Sequence, residues 1–249
     1  MKTRFLSFGG GVQTVALLLM HEELKVDEAI FADTGNEWPE TYEYMEQRVV
    51  PYAKEHGLQF TVLRQPVAIG DKAVLTLEEY CKERHMTPSR KNRWCTERFK
   101  VKRIKSYVKS VGYPRDARAL IGISFDELER MHRSHSRAYE FEYPLVDRRM
   151  TRKDCLKVVL DHGWPAPHKS ACFYCPYQKL ESWKELYNKH PDLFKRARAL
   201  EEGQQNTGYT LSNRDIPLAR LASRFGEGTM KLEMFTEKEE NCEEGYCMV

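Results

Sequence analysis

Apolar positions along the chain change period several times, and each change marks an element. Thr3 to Ser7 is short and apolar-leaning, Gly9-Gly10-Gly11 interrupts it, and apolar residues recur at Val12, Val15, Ala16 and Leu19. Spacings of three and four place those side chains on one face of a helix. Ala29 to Ala32 is a second short apolar run that stops at Asp33-Thr34-Gly35, and Pro39 opens a helix with Tyr42, Met45 and Val49 on one side. The alternation continues with a strand from Gln59 to Leu63 and a helix from Thr76 to Lys82. A second helix runs from Glu97 to Val111, with Val101, Ile104, Val108 and Val111 apolar, and a strand from Ala119 to Ile123. Strand alternating with helix predicts a three-layer, Rossmann-like α/β fold. Its parallel sheet has right-handed crossovers and ligands at the carboxyl ends of the strands. A helix starting at Thr151 stops near Gly163, where Trp164-Pro165-Ala166-Pro167 breaks the pattern. We place a boundary there: residues 1–165 form the α/β domain, and 166–249 a C-terminal region with a cysteine-containing loop, helices around Leu180 to Leu200 and an acidic tail.

Composition narrows the class. With 41% hydrophobic and 11% aromatic residues in 249, the chain can fill a core, which excludes disorder throughout. The longest strongly apolar stretch, Val15 to Met20, falls far short of the roughly 20 residues a membrane span needs. With no signal-peptide pattern at the N-terminus, the expectation is a cytoplasmic protein without a membrane partner. Seven cysteines, an odd number thinly spread, point to metal or redox use rather than a disulfide framework. The net charge of +3 conceals an asymmetry: twelve Lys and Arg face two acids between Arg84 and Arg118, whereas seven Glu face two Lys from Glu227 onward. The basic segment implies a polyanionic ligand, either a small one or a nucleic-acid backbone.

The first glycine cluster has the form strand, Ser7-Phe8-Gly9-Gly10-Gly11-Val12-Gln13-Thr14, helix. Bare backbone amides and a helix N-terminus meet there, which suits an anion. There is no Gly-Lys-Ser/Thr ending and no G-x-G-x-x-G, so two common nucleotide loops are excluded. The neighbouring strand end supplies Asp33, Thr34 and Gly35, and neighbouring strand ends can share one nucleotide. Asp126 and Glu127 follow a third strand end, where hard oxygens suit a magnesium ion and acids also suit a helix N-terminus. Cys172-Phe173-Tyr174-Cys175 brings two thiolates within reach of one centre, zinc or iron-sulfur. With no second such pair, a four-cysteine zinc ribbon is not supported.

These segments carry a resemblance. Ser7 to Thr14 resembles the pyrophosphatase loop of the adenine nucleotide alpha-hydrolase superfamily, and Phe31 to Thr41 is similar to the aspartate-threonine-glycine segment of phosphoadenosine phosphosulfate (PAPS) reductases. Arg93 to Val101, Ile121 to Glu127 and Ser170 to Pro176 agree with it in order and spacing. The resemblance implies that Ser7, Gly9, Gly10, Gly11, Gln13 and Thr14 cradle phosphate, that Asp33, Thr34 and Gly35 line the adenosine side, and that Gly122 and Asp126 complete the pocket. Arg93 and Lys100 would neutralise the anion of ATP, PAPS or adenosine phosphosulfate (APS). In one departure, Gln13 stands where the family loop has aspartate, which removes any role for that charge. In the iron-sulfur form of the family a Cys-Cys pair and a later C-x-x-C hold one [4Fe-4S] cluster, with zinc as the alternative metal. Here the pair is Cys95-Thr96, so Cys95, Cys172 and Cys175 carry over. The fourth position is open to Cys81, Cys155, His168 or exogenous sulfide.

The family also carries a nucleophilic cysteine near the C-terminus, a role for which Cys242 is the candidate, although flanking glutamates oppose its activation. The leading reading is a sulfonucleotide reductase served by a thiol reductant. An alternative is an ATP pyrophosphatase that adenylates a nucleic acid for sulfur insertion from a donor protein. A second alternative is a non-catalytic, zinc-stabilised nucleic-acid-binding module.

Overall fold

The computed structural model of the chain describes residues 3–133, 136, 138–205, 209–212 and 216–226. In chain order its main elements are β1 (Arg4–Phe8), α1 (Val12–Leu19), β2 (Glu28–Ala32), α2 (Pro39–Tyr44), β3 (Gln59–Leu63), β4 (Val67–Ile69), β5 (Lys72–Val74) and α3 (Leu77–Arg84). There follow α4 (Lys102–Ser110), β6 (Arg118–Leu120), β7 (Glu140–Glu142), α5 (Arg152–Asp161), α6 (Leu180–Lys189), α7 (Pro191–Glu202) and α8 (Leu218–Gly226). They form two compact units: residues 3–65 with 96–170, and 66–95 with 171–226. The chain passes into the second unit after Ser170, a few residues beyond the boundary read from the Pro-rich break. The grouping of residues 66–95 with the C-terminal helices has no signature in the hydrophobic pattern.

The first unit holds a five-stranded sheet in the order β3-β2-β1-β6-β7, with every pairing parallel. Alternate side chains of its strands serve opposite faces, as pleating requires. Leu6, Phe8, Ala29 and Phe31 join Val15 and Leu18 of α1 and Val159 of α5 on one side. Phe5, Ile30, Ala32 and Ala119 join Ile104 and Val108 of α4 on the other. β2 is buried along its whole length, as a central parallel strand should be. Its one charged residue, Glu28, is satisfied by Gln59 Nε2 at 2.9 Å, Tyr107 OH at 2.7 Å, Tyr113 OH at 2.5 Å and the Thr61 hydroxyl. These three layers are the Rossmann-like architecture of the adenine nucleotide alpha-hydrolase type. Because β2 flanks β1 on one side and β6 on the other, the winding reverses beside β1, and a crevice opens at such a switch point.

β6 stops at Leu120 rather than running to Ile123. The Ile123 amide turns back to the carbonyl oxygen of Ile121 at 2.9 Å, which ends the ladder and frees Gly122. β7 and the β4–β5 hairpin have no counterpart in the sequence reading, because three-residue strands are too short to show a period.

In the second unit, α3 begins with a capping box: the Glu79 amide donates to the Thr76 hydroxyl at 3.1 Å, and the Glu79 carboxylate accepts from the Thr76 amide at 3.1 Å. The helices α6, α7 and α8 meet through aromatic rings, Trp183 on Phe194 at 6.3 Å and Tyr187 on Phe225 at 5.5 Å. Among the described residues no helix is long and apolar enough to cross a membrane.

Candidate functional site

β1 ends at Phe8 and α1 begins at Val12, so three glycines make the whole connection. Gly10 has φ +80°, a conformation glycine adopts without steric cost. A Cβ there would also come within 2.9 Å of the Thr41 methyl. Thr14 closes the loop from inside. Its hydroxyl accepts from the Gly9 amide at 3.3 Å and donates to the Gly11 carbonyl at 3.0 Å. The Ser170 hydroxyl donates to the Gly9 carbonyl from the far end of the first unit. On the β6 side a Cβ at Gly122 would lie 2.6 Å from the Thr14 methyl and 3.4 Å from Gln13 Cβ. Gly122 therefore lets the third strand end lie directly against the loop. The N-cap, Gly11, offers no side chain to the first turn of α1, and that turn holds no acidic residue. Main-chain N–H groups at such an end carry partial positive charge and suit an anion.

The neighbouring loop after β2 is tied down by its own carboxylate. Asp33, fully buried, accepts from the Gly35 amide and from Tyr42 OH, both at 2.7 Å, and from Arg64 Nε at 2.5 Å. Arg103 donates to the Asp33 carbonyl. Burial, and then the Asp33 charge, push the Tyr42 phenol far above its ordinary range, so it remains a donor. Expected to line the adenosine side, Asp33 spends both carboxylate oxygens on loop shape. Thr34 accepts from the Asn36 amide at 3.3 Å, which with Gly35 at φ +75° completes the turn.

Lys100, expected at the anion, forms an ion pair with the buried Glu37 at 3.2 Å. Arg93 belongs to the second unit and Lys100 to the first, so the two cations read as partners come from different compact bodies. Asp126 turns its carboxylate toward the first amide of α5, that of Arg152, at 3.1 and 3.4 Å. Those bonds cap a helix, in keeping with the helix-terminus reading that the sequence offered for these acids beside magnesium binding.

A network that sequence reasoning missed surrounds Gln13. Its Nε2 donates to Glu127 Oε2 at 3.3 Å, and its Oε1 accepts from Arg152 at 3.1 Å. Glu127 is paired in turn with the buried Arg130 at 2.6 Å. Burial raises the Glu127 carboxyl above its ordinary value, against the pull of Arg130. The i,i+3 spacing of Glu127 and Arg130 was visible in the sequence; the reach of Arg152 across 139 residues was not.

None of the five described cysteines, Cys81, Cys95, Cys155, Cys172 and Cys175, is in a disulfide. Cys81, Cys95, Cys172 and Cys175 fall in the second unit, whereas Cys155 and His168 fall in the first. Cys155 is part of the core beside Val159, and burial pushes its thiol up to about 12. His168 lies over Trp38 at 4.6 Å. Two contacts gather the second-unit thiols. Tyr80 packs on Trp94 at 5.3 Å, bringing α3 to the Cys95 segment. Arg196 stacks over Phe173 at 4.8 Å while bonding Glu78 of α3, which brings α3 to the C-x-x-C turn. That turn is closed by the Cys175 amide on the Cys172 carbonyl at 2.9 Å and braced by Gln178 on the Phe173 carbonyl at 2.8 Å. Burial raises the Tyr174 phenol, and the charges of Cys81, Cys172, Glu78 and Cys95 raise it further. Among the described residues no three His, Cys, Asp or Glu side chains converge where one metal ion could sit. Cys242 lies outside the described residues.

Comparison with known proteins bears out the class read from the fold, an α/β protein of the adenine nucleotide alpha-hydrolase type. The phosphoadenosine phosphosulfate reductase domain matches residues 3–204, and the chain belongs to that family. It is 26% identical over 212 residues to an uncharacterized protein of Methanocaldococcus jannaschii, covering 76% of this chain and 47% of the relative. The chain thus spans about half the length of the curated relative it matches. Among solved structures, the PAPS reductase of Candida auris in its phosphate complex is similar at 17% identity and a TM-score of 0.46, over 66% of this chain and 74% of that one.

Proposed function

We propose that the protein is a sulfonucleotide reductase acting on APS or PAPS in the cytoplasm. The observation that carries the reading is the glycine loop, braced by Thr14 and abutted by Gly122, at the switch point of a sheet in a chain of the PAPS reductase family. In this reading the amides at Gly9 to Gly11 and the first turn of α1 hold the anionic group of the nucleotide. A thiolate, for which Cys242 is the candidate, attacks the sulfate sulfur. The bond from that sulfur to the bridging oxygen breaks, and the nucleotide leaves with its phosphate. A dithiol reductant then releases sulfite from the enzyme thiosulfonate and is itself oxidised to a disulfide.

We further assign Cys81, Cys95, Cys172 and Cys175 as the ligands of an iron-sulfur cluster. Four soft sulfur ligands within one unit suit it. A single zinc ion fits less well, since it needs its ligands about 2.3 Å from one point, whereas a cluster gives each thiolate its own iron. Bound there, the cluster would supply a buried metal charge that clamps α3 to the C-x-x-C turn.

Incubating the protein with APS, with PAPS and with ATP, in the presence of a dithiol, tests the reaction. Sulfite from a sulfonucleotide is expected. Pyrophosphate from ATP with no sulfite from either sulfonucleotide would overturn the reductase reading in favour of nucleic-acid thiolation.

A further inference from the structure

We propose that Arg152 is an anion-binding residue of the glycine-loop site, positioned by Gln13. Through it the nucleotide's phosphate is neutralised by arginine, without a divalent cation. The proposal rests on the nucleotide reading above and adds to it how the charge is met.

Gln13 lies in the first turn of α1, buried, and its side-chain amide has one donor end and one acceptor end. The donor end is taken by Glu127, so the acceptor end faces Arg152. A carboxylate in place of this amide would repel Glu127 and form a full ion pair with Arg152. The neutral amide instead uses one guanidinium N–H and leaves the others. Arg152 is exposed, and only that one of its guanidinium N–H groups has a partner among the described residues. A guanidinium carries five donors in a planar fork that matches phosphate oxygens.

The carboxylates that could recruit a hard cation at this rim are already engaged. Asp126 accepts from the Arg152 amide and Glu127 pairs with Arg130. Magnesium is ordinarily held by one or two carboxylates together with substrate phosphates, and here both have protein partners. An independent feature points to a ligand at the same loop. The Thr41 hydroxyl is buried, with 2% exposure, and has no hydrogen-bond partner among the described residues. It shares its Cβ with the methyl that packs on Gly10. An unmet buried hydroxyl costs free energy, and a phosphate oxygen on the loop would satisfy it.

The test is calorimetry with AMP, APS and adenosine on the full chain, in EDTA and in excess magnesium. The wild-type protein should bind AMP and APS with affinities that agree within about twofold in the two buffers. Loss of a charge-assisted hydrogen bond predicts that Arg152→Ala weakens both nucleotides about tenfold or more, leaves adenosine unchanged, and is only partly matched by Arg152→Lys. Gln13→Asp should weaken AMP binding in EDTA and make it respond to magnesium. Unchanged AMP affinity in Arg152→Ala, an equal loss for adenosine, or a wild-type requirement for magnesium would each overturn the proposal while leaving nucleotide binding intact. A wild-type protein that binds neither AMP nor APS would overturn the nucleotide site and the arginine with it.

Discussion

Replacing Gly122 by alanine probes the contact that joins the third strand end to the glycine loop. The new Cβ would lie 2.6 Å from the Thr14 methyl and 3.3 Å from the Thr14 backbone nitrogen, so something must move. Thr14 is fully buried and its hydroxyl is fixed at both ends, by the Gly9 amide and the Gly11 carbonyl. It cannot turn its methyl aside without breaking the bonds that shape the loop. Overpacking of this kind costs about 1–3 kcal/mol, and each hydrogen bond given up adds about 1 kcal/mol. A total near 3 kcal/mol corresponds to a fall in melting temperature of about 6–12 °C for a chain of this size. The assay is thermal unfolding together with AMP calorimetry on Gly122→Ala, Thr14→Ser and the double variant. Serine keeps the hydroxyl and deletes the methyl, leaving 3.3 Å as the tightest contact. The double variant should therefore recover at least half of the stability lost in Gly122→Ala, and with it the AMP affinity. If Gly122→Ala costs as much beside Thr14→Ser as beside the native threonine, the close approach is not what makes glycine necessary, and the reasoning fails.

Glu28→Ala should destabilise the first unit by about 1–3 kcal/mol, because it takes the shared acceptor from the half-buried Thr61, Tyr107 and Tyr113 and from the exposed Gln59. It acts at the opposite end of β2 from the loop, so molecules that remain folded should bind AMP normally; urea unfolding and calorimetry together check this. Burial tends to raise the Glu78 carboxyl, but bonds from Arg196 and Lys82 outweigh it and hold the group below its ordinary 4.5. Its contribution is thus complete above about pH 4.5 and is lost as pH falls through the depressed folded value. Glu78→Gln should flatten the acid limb of a stability-against-pH curve followed by Trp fluorescence, and an unchanged acid limb would contradict this. After anaerobic reconstitution, Cys81→Ser should lower bound iron and alter the visible spectrum, whereas Cys155→Ser should match wild type. Equal iron in both variants would remove Cys81 from the ligand set.

Much of the first unit was legible because it depends on periodicity and local turn chemistry. The apolar runs ending at Phe8 and Ala32 and the helix from Pro39 follow from spacing and from glycine and proline. The loop itself was legible as consecutive glycines between a strand and a helix. What escaped was the long-range assignment of charge. Asp33 and Asp126 follow strands and Lys100 lies in a helix, and all three look in sequence like ligand contacts. In the structure Arg64, Glu37 and the Arg152 amide are among their partners, which the sequence did not indicate. Arg152 was read only as part of a helix start, because its partner Gln13 lies 139 residues away along the chain. The second unit was partly hidden for a similar reason. Cys81 was one of several candidates for the fourth position, and only the grouping of residues 66–95 with 171–226 puts it in one body with the other three thiols.

The central claim is that the glycine loop binds the charged end of an adenine nucleotide. Calorimetric titration of the full chain with APS, AMP and adenosine tests it most directly, with Gly10→Ala as the comparison, since that substitution forces a Cβ onto Thr41 at a positive φ. The account predicts saturable heat with APS and AMP, much weaker binding of adenosine, and loss of the difference in Gly10→Ala. Equal affinity for adenosine and AMP, or a Gly10→Ala protein that binds AMP as tightly as wild type, would contradict it.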